Sequence, residues 1–177
     1  LSPMNREEGK SLLDIIDHTQ TAMGGRLLRH WLSFPLIDLT EIHRRQSVVT
    51  DLVRTADLRR TTSELLIGIG DLERLASKAV VGRISPREVR QLATSLGQVE
   101  QIGSHLASSD SAELQKIAGR LQPMGELISD IEHTLTEEPP AALSRGITIA
   151  PGVNSELDEL RRLSSHGKEY LLELQRR

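Results

Sequence analysis

Thr21-Ala22-Met23-Gly24-Gly25-Arg26-Leu27-Leu28-Arg29-His30-Trp31-Leu32, closed by Phe34-Pro35, holds a helix start, an apolar face and a paired glycine in one short segment. Met23, Leu27 and Trp31 recur every fourth residue and Phe34 follows three later, which predicts one apolar side of a helix, with Arg26, Arg29 and His30 elsewhere on its circumference. Pro35 has no amide hydrogen to donate and stops the run. This is the chemistry of packing, not of catalysis. Amphipathic stretches between clear breaks fill most of the chain, so the predicted fold is all-α: an array of antiparallel amphipathic helices with one long carboxy-terminal helix and at most a very short strand.

Downstream, Asp38 with Glu41 reads as a capping pair for a second helix presenting Leu39, Ile42, Val49, Leu52 and Val53, interrupted by Gln46. A third helix is expected over 56–67. Gly68, Gly70 and Asp71 then break the pattern and recap a helix carrying Leu72, Leu75, Ala76 and Ala79, which Gly82 ends. Ser85-Pro86-Arg87-Glu88 is the strongest local signal: a serine cap, a proline at the first helical position and a glutamate at the third together satisfy orphan backbone donors. The helix it opens carries Val89, Leu92, Leu96, Val99, Ile102 and Leu106 at a spacing suited to long antiparallel packing. Asp110 with Glu113 is expected to open the next helix, on Leu114, Ile117 and Leu121. Pro123 sets off another, on Leu127, Ile128, Ile131 and Leu135.

Glu137-Glu138-Pro139-Pro140 is a break, followed by a strand-like segment in which Ile147 and Ile149 flank Thr148 between Gly146 and Pro151-Gly152. Ser155 with Asp158 predicts a capping box for a final helix on Leu157, Leu160, Gly167, Leu171 and Leu174, spanning roughly 35 Å at about 1.5 Å per residue. Gln175-Arg176-Arg177 carries no stop signal, and the chain lacks an initiating methionine, so a cut from a longer protein is expected. The organisation expected is a loose or extraneous start over 1–10, a helical core over 11–140, a linker with a short extended segment over 141–153, and a truncated long helix over 154–177.

Composition narrows the function classes. The chain has 177 residues, 37% apolar and 27% charged, and no run nears the roughly 18 apolar residues of a membrane span. With no cysteine there are no disulfides or thiolate metal sites, and with no secretory signal the expected location is cytoplasmic. A net charge of −3 does not suit a domain that grips phosphates by itself. Trp31, Phe34 and Tyr170 are too few rings for a base-stacking platform.

No motif assembles an active site, and no catalytic, cofactor-binding or metal-ligating residue is expected. His18, His30, His43, His105, His133 and His166 are scattered singly, without metal-ligand spacing. Asp14 and His18 lie four apart, which suits an ion pair on one helix as well as an acid–histidine site. Gly68-Ile69-Gly70 follows no hydrophobic strand and so is no phosphate cradle. Arg44-Arg45, Arg59-Arg60 and Arg161-Arg162 are interleaved with acids, the pattern of solvated helix faces. The serines of Ser108-Ser109-Asp110-Ser111 sit in no nucleophile elbow. From the residues alone, a stand-alone helical bundle for protein interaction or histidine phosphotransfer, with His18 or His133 as phosphoacceptor, remains open. A helical carboxylate metal enzyme ranks last, because no Glu-x-x-His occurs, although Glu132 and His133 are adjacent.

Five stretches in order carry a resemblance: Ser11-Leu12-Leu13-Asp14-Ile15-Ile16-Asp17; Thr21 to Leu28 with Trp31-Leu32 and Pro35; Asp71-Leu72-Glu73-Arg74-Leu75; Gly82 to Glu88; and Glu156-Leu157-Asp158-Glu159-Leu160-Arg161. Colinear from about residue 10 to the end, they resemble the core region of MutS-family DNA mismatch-recognition proteins. The resemblance implies a fragment of roughly a fifth of its parent: the core, or lever, domain and the first long helix leading toward the DNA clamp. It places mismatch reading in an amino-terminal domain and ATP hydrolysis, with ATP and Mg, in a carboxy-terminal one, neither of which matches this chain. It further implies a non-catalytic segment coupling the ATPase to the clamp, in a homodimeric parent. The partners implied are the parent's other domains, duplex DNA and a downstream mismatch-repair protein, with no membrane.

Overall fold

The computed structural model describes residues 9–143 and 146–175, with the side chains of His166 and of residues 168–175 outside that description. Among the described residues it forms nine helices: α1 (Leu12–Ile16), α2 (Ala22–Ser33), α3 (Leu39–Arg54), α4 (Ala56–Ile67), α5 (Leu72–Val80), α6 (Pro86–Ala107), α7 (Ala112–Ala118), α8 (Gly125–Thr134) and α9 (Ser155–Gln175). The all-α expectation holds. The strand-like segment amounts to one antiparallel bridge between Leu135 and Ile149, where Thr136 N–H donates to Thr148 O at 3.0 Å. The expected loose start falls largely on residues 1–8, outside the described residues.

α6 is the spine. Its start forms as the sequence requires: Ser85 Oγ accepts from Glu88 N–H, the Glu88 carboxylate accepts from Ser85 N–H, and Pro86 occupies the first turn. α4, α5, α7 and α8 all lie against this one helix of 22 residues. Ile102 and Leu106 of α6 join Ile69, Leu114 and Ala118 in the buried cluster, with Val48, Leu52, Leu58 and Leu65 packed around it. Leu75 of α5 is fully buried.

The corner between α4 and α5 meets side chains of α6 at its two glycines. A Cβ on Gly68 would stand 2.1 Å from Gln98 Nε2, and one on Gly70 2.9 Å from Gln91 Nε2. Between them Ile69 is buried in the core. Gly70 N–H donates to Ser95 Oγ at 3.0 Å, and that hydroxyl donates to Gln91 O at 2.8 Å, so a fully buried serine is satisfied on both sides.

Several expected caps move by a residue or change partner. Asp38 Oδ1 caps α3 through Thr40 N–H, while Glu41 pairs with Arg44 and does not complete a box. α7 is capped by Ser111, not Asp110, and α9 by Asn154 Oδ1 on Leu157 N–H at 2.9 Å, not by Ser155. Asp158 accepts instead from Gly152 N–H at 2.7 Å. At α7 and α9 two adjacent residues have capping chemistry, and at α7 the role falls to Ser111, still in extended backbone at φ −85° and ψ 116°. Ser11 and Asp14 form a capping box for α1 that the sequence reading missed.

The expected apolar faces are displaced more seriously. α2 buries no residue: Leu27, Trp31 and Phe34 are exposed, whereas Met23, Leu28 and Leu32 are half-buried. On α3, Val49 and Val53 face solvent while Ile42, Val48 and Leu52 turn inward. On α9, Leu160 is 58% exposed; Leu171 and Leu174 lie outside the described side chains. Periodicity says which residues share a side of a helix, but neighbours decide which side is covered. Close approach through Gly24 and Gly25 is local: added Cβ atoms would meet Thr21 Oγ1 at 3.0 Å and Thr19 Oγ1 at 3.2 Å, and one on Gly167 would meet open space.

Two outcomes follow. Leu75→Ala is expected to cost about 2–5 kcal/mol in urea unfolding, because it empties a fully enclosed site, while Leu27→Ala costs less than about 1 kcal/mol. Lys78 Nζ at 2.5 Å, with the Ser85 amide, lowers Glu88 from 4.5 to about 2. A depressed carboxylate stabilises the fold above its unfolded value and loses that contribution as pH falls toward its folded one. Stability should therefore drop between pH 4.5 and about 2. Glu88→Gln should flatten that part of the pH profile, measured by circular dichroism; an unaltered slope would count against the Lys78–Glu88 pairing.

Candidate functional site

His18, His30, His43, His105 and His133 are all exposed, each on a different element or connection, and the structure brings no two into one site. α1 ends at Ile16, so His18 is not helical, and Asp14 serves Ser11 instead of pairing with it. Among the described residues no group of three or more His, Asp or Glu side chains is placed to hold a metal ion. The arginine pairs serve the array. Arg44 binds Glu41 at 2.8 Å, and Arg45 lies over the Trp31 ring at 3.8 Å from its centroid. Arg59 Nη1 donates to the carbonyls of Leu52 and Val53 at 3.1 Å, closing the end of α3. Arg60 faces Asp57 and Glu64, and Arg161 faces Asp158 at 3.3 Å.

Surface concavities do not converge on a reaction either. A cleft of about 370 Å³ between the end of α3 and the α6–α7 turn mixes Asp51, Arg54, His105 and Asp110. Ser111 Oγ, the cap of α7, donates to Asp51 in its wall at 2.5 Å. A groove of about 400 Å³ beside the start of α6 is lined chiefly by Ile84, Val89, Ile131, Leu135 and Ile149.

The most organised polar feature is the junction of α2, α5 and α6. Arg26, in the second turn of α2, forks onto Asp71: Nη1 donates to Oδ2 at 2.8 Å and Nη2 to Oδ1 at 2.9 Å, and Nη2 also reaches Glu73. Asp71 is at the same time the cap of α5, accepting Arg74 N–H at 3.2 Å. The guanidinium, chiefly, holds the Asp71 carboxyl at about 2, and the two carboxylates raise Arg26 further above its ordinary value. Arg74 lies 3.8 Å from Glu88, which binds Lys78, so alternating charges run from α2 across α5 to the cap of α6. This arrangement can orient helices; it offers no activated nucleophile and no acid–base pair poised over a cavity. Arg26 and Asp71 are 45 residues apart, and no local spacing links them in the sequence.

Comparison with known proteins matches residues 1–176 to the family model for MutS domain III. A DNA mismatch repair protein MutS from Porphyromonas gingivalis is 49% identical over 175 residues, covering 99% of this chain and 20% of that protein. Proteins of the same name from Cytophaga hutchinsonii and Chlorobaculum tepidum are each 43% identical, over 170 and 165 residues, which is 96% and 93% of this chain but 20% and 19% of their own lengths. The chain thus spans about a fifth of the length of the curated relatives it matches. It belongs to the MutS family, as the domain III of that family's architecture.

Proposed function

We propose that this chain is the non-catalytic core, or lever, segment of a DNA mismatch-recognition ATPase, coupling nucleotide-driven changes in one part of the protein to movement of a DNA clamp in another. The observation that carries the reading is the single rod α6, onto which α4, α5, α7 and α8 all pack, in a chain that matches domain III along its length. Four helices sharing one axis move with it, because close-packed interfaces transmit displacement without absorbing it. On this reading ATP and Mg bind elsewhere in the full-length protein, which acts as a homodimer with a downstream repair partner and holds duplex DNA through its clamp and mismatch-reading domains. Histidine phosphotransfer draws no support from the comparisons, which match residues 1–176 to domain III.

Titrated alone, the chain should show negligible preference for mismatched over matched duplex and at most weak, salt-sensitive affinity, as its net charge of −3 requires. Tight mismatch-selective binding, read by fluorescence anisotropy, would overturn the placement of mismatch reading in other domains. Stiffness is tested separately in a full-length family member carrying this segment. Thr94 and Gln101 lie on the exposed face of α6, and glycine there lowers helix propensity by roughly 0.3–0.7 kcal/mol each without touching the core. The Thr94→Gly, Gln101→Gly pair should slow ATP-driven release from mismatched DNA by about threefold or more, with DNA-independent ATP hydrolysis unchanged. Unaltered release would refute the strut.

A further inference from the structure

Three features characterise α2. Like α3, α4 and α8 it buries no residue of its own, Met23, Leu28 and Leu32 being half-buried, but unlike them it does not pack extensively along another helix, although Met23 touches the core cluster. It is flanked by non-helical connections over 17–21 and 34–38, and Pro35 prevents its hydrogen bonding from running on into α3. Its two charged tethers, Arg26 on Asp71 and Glu73 and Arg45 over Trp31, both lie at the surface. An apolar anchor resists separation because it must be rehydrated, whereas a surface ion pair is exchanged for water at little cost.

We propose that the Arg26 fork is a latch: closed, it holds α2 against the α4–α5 corner, and open, it lets α2 swing as a unit about residues 34–38. The fork is well made yet easy to undo. Arg26 is 49% exposed and Glu73 69%, so both hydrate at once when parted, and neither becomes a buried unpaired charge. Asp71, at 17%, is the better covered partner, but it keeps the Arg74 amide, so α5 stays capped in either position. The corner receiving α2 is itself pinned to α6 through Gly70 and Ser95, so the moving part is α2 and the fixed part is the core. Swinging about 34–38 also carries Trp31 away from Arg45, which belongs to α3, so the two tethers open together. The latch exists independently of the coupling reading, but its purpose rests on it: it would be the contact through which α2 and α5 move as one or separately.

Hydrogen exchange by mass spectrometry, in a full-length family member carrying this segment, tests the latch. Arg26→Gln should speed exchange of the α2 amides by about tenfold or more while α6 and α7 stay protected. Unsubstituted protein in 1 M salt, where the screening length falls to about 3 Å, should do the same without any variant. Asp71→Asn, which keeps a capping oxygen for α5, should match Arg26→Gln. Unchanged α2 exchange in both Arg26→Gln and high salt overturns the latch, as does a parallel rise in α2 and α6, which would make the fork part of one cooperative unit. Faster α2 exchange with unaltered ATP-driven release would leave the latch standing and sink its role in coupling. Slowed release in the α6 glycine pair with unchanged α2 exchange would do the reverse.

Discussion

The close approach of the Gly68-Ile69-Gly70 corner to α6 is the constraint on which the array depends. Ile69 enters the core between two glycines whose bare backbone leaves room for the side-chain amides of Gln98 and Gln91 against the corner. With the corner seated, Gly70 finds the Ser95 hydroxyl, α4 and α5 lie along the same spine, and Ile102, Leu106, Leu114 and Ala118 close over Ile69. A larger residue at 68 would force the side-chain amide of Gln98 aside.

Around this dry centre the polar groups are arranged in series. The Ser85–Glu88 box orders the start of α6, Lys78 neutralises Glu88 from α5, and Asp71 caps α5 while gripping Arg26 of α2. Each carboxylate serves a helix end and a cation from another helix at once, which is why Asp71 and Glu88 are both held near 2. On the far side, Ser111 does comparable duty by capping α7 while donating to Asp51 of α3. Capping thus sets helix orientation here as well as helix length.

Local chemistry made most of the element starts and stops legible. Ser85-Pro86-Arg87-Glu88 and the 56–67 helix appear where expected, because caps, prolines and glycines act within a single turn. Where two capping residues adjoin, as at Asp110-Ser111 and Asn154-Ser155, backbone conformation chooses between them, and sequence does not show it. Faces were less legible. Leu27, Trp31 and Phe34 share a side of α2 as predicted, yet that side is uncovered, since what lies against it is decided by elements far along the chain. Arg26–Asp71 and Ser95–Gly70 were out of reach for the same reason: each joins residues dozens of positions apart with no motif between them. The family resemblance, by contrast, rested on the order of motifs and did not need the faces to be right.

The pin between Gly70 and Ser95 has a mechanical consequence. Sliding α4 along α6 would draw the Gly70 N–H off the hydroxyl of a fully buried serine. Shear between these two helices is therefore stiff, whereas bending of the pair together leaves the pin intact.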